Sequence, residues 1–328
     1  MYKRPSAALV LAALIAPFAA LAQSVNPDRW PEKPIQVIVP ASSGSGTDNL
    51  ARVTFQRLSA ALGQPIVVEN RVGGGGAIGT GAVVKAASDG YTLLYTNGTF
   101  AVMTPALLGE RVPYDPVRDL TPIVQTAVGG VLLLVNPAVP AKNLAELVEL
   151  VKANPGKYSY GTWAVGSSGH LIMEWLQNRT GMKMSHVPYK SVPQLLTELS
   201  SGVIPIGWAD PSAPVPFIRS GKVRGIAISG NVRVPGTPDI APMGEQGYQF
   251  DAVGWFGMFG PANLPEPIVR RIHAEINRIQ STDDMKALMA RLNFEPPPMK
   301  SNAEFRDIVR NDFQIWRKIV QDNNITAE

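Results

Sequence analysis

The stretch PIQVIVPASSGSGTD, residues 34–48, decides the fold because it joins a strand to a helix through a turn of small residues. Residues 34–40 are mostly apolar and β-branched, which is typical of a short strand. A helical pattern with an apolar face follows and stops at Gly63. Between them, hydroxyls and unpaired backbone N–H groups meet at a helix N-terminus, which favours an anion. The predicted binding residues are Ser42, Ser43, Gly44, Ser45, Gly46, Thr47 and Asp48.

A second turn of the same kind, GTWAVGSSGH, occupies residues 161–170. It also follows a strand-like run and leads into a helical pattern. Small hydroxyl residues at such a position let an anion approach the backbone closely and add donors of their own. We expect the two turns to close on one small anion from opposite sides. The predicted binding residues here are Trp163, Gly166, Ser167, Ser168 and His170.

Strand-like and helix-like runs alternate along the chain, which predicts an α/β fold with mostly parallel sheets. No low-complexity linker separates two domains, so the chain must change domain through strands. The apolar runs Val131–Val135 and Ala252–Phe259 are the best candidates. They predict a discontinuous first lobe, residues 30–128 and 254–328, and an inserted second lobe, residues 129–253. Both turns then face one cleft between the lobes.

The N-terminus has the pattern of a secretory signal, residues 1–22. Lys3 and Arg4 precede an apolar run, and cleavage is expected after Ala22, which predicts export to the periplasm. The formal charge of +4 then falls to +2. Lysine and arginine do not cluster with aromatic residues, so we do not expect a nucleic-acid partner.

The side chains for metal or thiol chemistry are scarce. The chain contains no cysteine, which excludes a catalytic thiol and a disulfide framework. Its three histidines, His170, His186 and His273, have no metal-ligand spacing. We therefore expect neither a metal nor a cofactor, and we interpret His186 and His273 as structural.

A glycine run, Gly74-Gly75-Gly76-Ala77-Ile78-Gly79, matches the dinucleotide pattern G-x-G-x-x-G after a strand. No acidic residue lies about 20 positions beyond Gly79 to bind a ribose. We interpret the glycines as a tight turn packed near the cleft.

Ser167, Ser168 and His170 suggest an exported serine hydrolase as an alternative. A nucleophile and its base usually come from separate loops, and the chain has no G-x-S-x-G elbow. We therefore predict that the protein is not an enzyme. His170 is then expected to cap or pack in the first helical turn.

Two residues keep open roles. Asp48 is either favoured by the helix dipole alone or accepts a hydrogen bond from a ligand amine or a bound water. Trp163 and Trp208 either belong to the core or stack on a ligand ring.

Segments in order along the mature chain resemble the Bug/TctC family of periplasmic solute-binding proteins, which serve tripartite tricarboxylate transporters. They are Trp30–Pro34, Gly46-Thr47-Asp48, Asn70-Arg71, Asp89–Leu94, Gly166-Ser167 with His170-Leu171, His186–Lys190, Trp255-Phe256-Gly257 and Pro261-Ala262. The resemblance implies a two-lobed, type II-like periplasmic-binding-protein fold that closes over an organic acid. It also implies that backbone N–H groups, hydroxyls and waters hold the carboxylate, and that membrane transporter subunits are the partners.

The chain departs from the family pattern at both turns. Ser42 and Ser43 stand where the family has two prolines, Ala41 replaces an aromatic residue, and Trp163 replaces a small one. The family's usual acidic residue is missing at Pro205, and Asp210 is the displaced candidate.

Within the class of small di- and tricarboxylates, the extra hydroxyls and Trp163 favour a rigid, aromatic dicarboxylate such as terephthalate, with an aliphatic dicarboxylate or an acidic amino acid as alternatives. We expect a monomer. A ligand-sensing receptor without transport stays open.

Overall fold

The computed structural model describes residue 26 and residues 29–231, 233–250 and 254–327. The predicted signal segment, residues 1–22, and its cleavage site lie outside the described residues, as does Ala252 at the start of the second predicted crossing strand. No helix in the described ranges is long and apolar enough to cross a membrane.

The described residues form ten strands and ten α-helices. The strands are β1 (Ile35–Val39), β2 (Ile66–Asn70), β3 (Thr92–Asn97), β4 (Leu120–Val128), β5 (Leu132–Val135), β6 (Ser159–Thr162), β7 (Ser185–Pro188), β8 (Ile206–Ala209), β9 (Arg224–Ile228) and β10 (Trp255–Pro261). The helices are α1 (Gly46–Leu62), α2 (Ala77–Val84), α3 (Thr104–Leu108), α4 (Leu144–Lys152), α5 (Ser168–Thr180), α6 (Val192–Ser201), α7 (Val215–Arg219), α8 (Glu266–Gln280), α9 (Asp283–Arg291) and α10 (Asn302–Asp322).

The strands form two five-stranded sheets with the same internal order. One sheet has the order β2-β1-β3-β10-β4 and the other β7-β6-β8-β5-β9. We call the first sheet and the helices on it lobe 1, and the second sheet and its helices lobe 2. In each sheet four strands run in one direction, and the fifth, β10 or β5, pairs antiparallel with both neighbours. The predicted two-lobed α/β fold is confirmed.

The antiparallel strand in each sheet is the one by which the chain enters from the other lobe. β5 follows β4 of lobe 1 and inserts into lobe 2, and β10 follows β9 of lobe 2 and inserts into lobe 1. The two crossing segments lie side by side, since the Gly129 N–H donates to the Gly254 carbonyl at 2.9 Å.

Local capping signals place the two helices that matter for the site. The Ser45 hydroxyl caps α1 by accepting the Asp48 N–H, and α1 ends at Gly63, whose φ is 68°. The Ser167 hydroxyl caps α5 by accepting the His170 N–H, and α5 ends at Gly181, whose φ is 78°. Serine supplies the acceptor that a helix start lacks, and glycine accepts the left-handed backbone that ends it.

The C-terminal helix α10 contacts both lobes. It packs on β4 of lobe 1. Its Trp316 side chain contacts Phe250, which in turn packs on Trp175 of α5. The helix starts with a capping box between Ser301 and Glu304. The C-terminal helix therefore adds apolar contacts with both lobes.

Candidate functional site

A cavity of about 610 Å³ lies between the two lobes. Lobe 1 contributes the segments that follow β1 and β3, and lobe 2 contributes those that follow β6, β7 and β8. These are the C-terminal ends of parallel strands, where ligands bind in open α/β sheets. The volume is within the range of small-molecule sites.

The first turn divides into residues that face the cavity and residues that support it. Ser42, Ser45 and Thr47 line the cavity. The other predicted residues of this turn, Ser43, Gly44, Gly46 and Asp48, are not in its lining. The Thr47 hydroxyl accepts a hydrogen bond from the Asn97 amide at 3.0 Å, so a second loop of lobe 1 fixes its orientation.

Asp48 is a buried structural clamp, with a side chain only 2% exposed. Its carboxylate accepts the Gly44 N–H at 3.0 Å, the Asn70 amide at 2.9 Å and the Arg52 guanidinium at 2.9 and 3.0 Å. Burial by itself raises the pKa of this carboxyl, but these hydrogen bonds and the Arg52 charge outweigh it and hold the pKa below its ordinary value of 3.8. The structure adds a role to the two left open by the sequence, because the Asp48 carboxylate fixes its own turn.

The second turn divides in the same way. Trp163 and Ser168 line the cavity, whereas Gly166, Ser167 and His170 are not in its lining. The Gly166 N–H donates to His170 Nδ1 at 3.2 Å, and the φ of Gly166 is 77°. The buried Ser167 hydroxyl is used as the α5 cap. These three residues therefore shape the turn from behind.

His170 packs in the first turn of α5, as the sequence suggests. Its ring stacks on His186 with centroids 4.1 Å apart, and His186 Nε2 lies 2.7 Å from the Thr162 hydroxyl. Burial lowers the pKa of His170 to about 4, and burial together with the His170 charge lowers that of His186 to about 3. Both rings are neutral at pH 7, and no hydrogen bond joins either ring to Ser168 among the described residues.

Asp210 lies directly after β8 and lines the cavity, with a side chain 6% exposed. Its Oδ1 accepts the Ser212 and Ala213 N–H groups, each at 3.0 Å. Its Oδ2 is buried and has no hydrogen-bond partner in the described chain. Burial raises the pKa of this carboxyl, although N–H groups that include Gly46 of lobe 1 oppose the rise.

The glycine run forms a cavity wall. Gly73, Gly74, Gly75 and Gly76 all line the cavity and all have positive φ. A Cβ at Gly75 would lie 2.8 Å from Thr104 Cγ2 and 3.4 Å from the Val165 carbonyl of the second turn. The run is thus the tight turn near the cleft that the sequence suggests, and its positive φ values and the close contact of Gly75 with Thr104 require glycine.

The polar residues of the lining that were not selected from the sequence include Asn97, Thr99, Lys190 and Ser191. Asn97 and Thr99 come from the end of β3 and the segment after it, and Lys190 comes from the loop after β7. The signal that could have identified them in the sequence is their position directly after strands, because the C-terminal ends of parallel strands meet at the cleft. Trp208, by contrast, is fully buried and belongs to the core.

The cavity is mainly apolar with few charges. Lys190 and Asp210 are the charged side chains among the described lining residues, and Lys190 is exposed. Apolar wall is supplied by Phe100, Met103, Trp163, Trp255 and Phe256. Such a lining suits a ligand with a compact apolar body and polar ends.

Comparison with known proteins shows which family the chain belongs to. The model described as tripartite tricarboxylate transporter family receptor, TctC, matches residues 50–325. The chain belongs to the TctC family. BugT of Bordetella pertussis is 34% identical over 306 residues, which cover 93% of this chain and 93% of BugT.

Two solved structures with organic acids share the fold. Rpa4515 of R. palustris with adipate has a TM-score of 0.86 at 28% identity, covering 90% of this chain and 99% of that one. MatC from Rhodopseudomonas palustris with bound malate has a TM-score of 0.82 at 28% identity, covering 89% and 100%.

TctC membership makes this protein a periplasmic solute-binding protein, and the Bug/TctC resemblance is confirmed. The family consists of binding proteins, which confirms the prediction that the chain is not an enzyme. The serine hydrolase alternative is therefore dropped. One nitrogen of each histidine ring is engaged within lobe 2, Nδ1 of His170 by the Gly166 N–H and Nε2 of His186 by the Thr162 hydroxyl.

Proposed function

We propose that this protein captures a small organic carboxylate between its lobes in the periplasm and delivers it to the membrane subunits of a tripartite tricarboxylate transporter. The observation that carries the proposal is the cavity lined by hydroxyls from two helix-initiating turns, Ser42, Ser45, Thr47 and Ser168. Helix N-termini and hydroxyls favour a carboxylate there. The adipate and malate in the two related structures support this ligand class.

The proposal includes the lobe boundaries expected from the sequence. We assign residues 30–128 and 254–328 to one lobe and residues 129–253 to the other. The membership of β1–β4 and β10 in one sheet and of β5–β9 in the other supports this division.

Calorimetry and thermal shift against mono-, di- and tricarboxylates test the ligand class. We expect at least one carboxylate to raise the melting temperature and to bind with one site per chain, because a ligand that binds only the folded state stabilises it. A sugar or a cation series is the control. Tight binding of a sugar or a cation together with no response to any carboxylate would contradict the proposal.

Trp163 is proposed to favour an aromatic acid by stacking on its ring. Its half-buried side chain lines the cavity. We expect Trp163→Ala to weaken an aromatic dicarboxylate such as terephthalate about fivefold more than adipate, since ring stacking contributes about 1 kcal/mol. Trp163→Phe retains a ring and should keep most of the difference. Equal losses for both ligands in Trp163→Ala would refute stacking.

Lys190 is proposed to pair with a second carboxylate of the ligand. It is the cation of the described cavity lining, and no ion pair of its side chain occurs among the described residues. We expect Lys190→Gln to weaken a dicarboxylate about two- to fivefold, which is the range of an exposed ion pair, and to leave a monocarboxylate unchanged. Lys183→Gln removes an exposed cation of lobe 2 outside the cavity lining and serves as the matched control. The same loss in both variants would indicate only a general charge effect.

A further inference from the structure

The helix α5 of lobe 2 is capped by a side chain of lobe 1. Ser168 is the first residue of α5, so its N–H has no partner within the helix. That N–H donates to Thr99 Oγ1 at 3.3 Å, and the Thr99 hydroxyl donates to Ser168 Oγ at 3.2 Å. Thr99 follows β3 of lobe 1 and is only 3% exposed. The Thr99 hydroxyl thus forms hydrogen bonds with both the N–H and the hydroxyl of Ser168 across the cleft.

A side chain of lobe 2 also lies close to the start of α1 in lobe 1. Asp210, after β8, lies against Gly46, the first residue of α1. A Cβ at Gly46 would overlap the Asp210 carboxylate, with Cγ at 2.7 Å. The Gly46 N–H is one of the donors that favour the charged form of Asp210. A carboxylate at this helix end is also favoured by the helix dipole.

We propose that the lobes close by reciprocal capping, in which Thr99 of lobe 1 caps α5 of lobe 2 and Asp210 of lobe 2 caps α1 of lobe 1. We call these two contacts the cross-cleft caps. Thr99, Ser168 and Asp210 all line the cavity, so opening the cleft exposes them to water. The caps therefore stabilise the closed form relative to the open form.

The size of the effect follows from ordinary hydrogen-bond energetics. Open lobes exchange each cap for hydrogen bonds to water, so the net contribution of a cap is modest. Loss of one cap is expected to lower the ratio of closed to open molecules about three- to tenfold. A ligand that binds only the closed form would lose apparent affinity by up to the same factor. That last step rests on the proposed function, whereas closure itself is measured without ligand.

Spin labels on the two lobes report closure directly. The chain contains no cysteine, so Glu110→Cys on lobe 1 and Thr197→Cys on α6 give two unique labelling sites, both exposed. Double electron–electron resonance on the ligand-free protein then measures the distance distribution between lobes. We expect Thr99→Val, which keeps the shape and removes the hydroxyl, to shift the distribution towards the open form. Thr99→Ser keeps the hydroxyl and should restore the wild-type distribution.

The Asp210 cap is tested through Gly46. The backbone of Gly46 is not left-handed, so alanine is compatible with the helix and improves its propensity. Its Cβ would nevertheless overlap the Asp210 carboxylate and would lie 3.0 Å from Phe294 Cζ, so we expect Gly46→Ala to displace the carboxylate and to open the lobes. Asp210→Ala alone removes the carboxylate and adds no overlap, so it should also open the lobes, which separates loss of the cap from the steric effect.

Two results would overturn the proposal. One is an unchanged distance distribution in both Thr99→Val and Gly46→Ala. The other is a Thr99→Ser variant that opens as far as Thr99→Val, since the hydroxyl would then have no role. Carboxylate binding with unchanged closure would leave the proposed function standing and reject the caps. If the variants shift closure as expected but the protein binds no carboxylate, the caps stand and the proposed function is rejected.

Discussion

Asp48→Ala should lower the free energy of unfolding by about 2 kcal/mol, because it removes the buried acceptor of several hydrogen bonds, one of them from the half-exposed Arg52 guanidinium. The carboxylate is 2% exposed and binds Gly44, Arg52 and Asn70 together. Its loss leaves the Gly44 N–H and the Asn70 amide without their acceptor, and it releases the turn that starts α1. Urea unfolding at pH 7 measures the change.

A second ion pair of α1 provides the control. Arg57 of α1 pairs with Asp284 at 2.5 Å, but the Asp284 side chain is 69% exposed. Solvent screens such a pair, so Asp284→Ala should change stability far less than Asp48→Ala. Equal small effects of the two variants would show that Asp48 does not hold the turn. A normal stability with lost ligand binding would instead return Asp48 to a direct ligand role.

The stacked histidines should make the protein less stable as the pH falls from 7 to 4.5. The unfolded chain takes up protons near pH 6.5, whereas burial holds the pKa of His170 at about 4 and that of His186 at about 3. The unfolded state therefore binds more protons in this window, and each ring costs roughly 2 kcal/mol of stability at pH 4.5. The stability contributed by these neutral rings is fully present above pH 6.5.

Another buried group acts in the opposite direction and must be separated. Burial raises the pKa of Asp312 to about 6, so its carboxyl favours the folded state as the pH falls through that range. Comparison of wild type with His186→Phe isolates the histidine contribution, because Asp312 is common to both. We expect the variant to gain about 2 kcal/mol relative to wild type between pH 7 and pH 4.5. Parallel stability curves would show that His186 is not held neutral.

The helix starts could be read from the sequence because capping is local. Ser45, Ser167 and Ser301 each accept the N–H three residues ahead, and Gly63 and Gly181 end their helices in the left-handed conformation. These contacts depend on neighbouring residues only. The crossing strands were also recognisable, since β5 and β10 are buried along their whole length and lack breaks.

The site was predicted at the level of turns and only partly at the level of residues. Both turns reach the cavity, but within each turn a serine can face the ligand or cap the helix. Ser168 lines the cavity, while the adjacent Ser167 is used as a cap. Which of these two adjacent hydroxyls faces the cavity depends on how lobe 1 packs against the turn of lobe 2. The sequence pattern does not contain that information.

The sequence by itself determined the α/β alternation, the strand-to-helix turns and the positions where the chain crosses between lobes, because these follow from periodicity and local capping. Only the tertiary structure decided that Asp48 clamps its own turn, that Asp210 lies against Gly46, and that Thr99 caps α5. The physical reason is that these contacts join separate elements: the Asp48 carboxylate meets Asn70 at the end of β2 within lobe 1, and the other two contacts depend on how the two lobes pack.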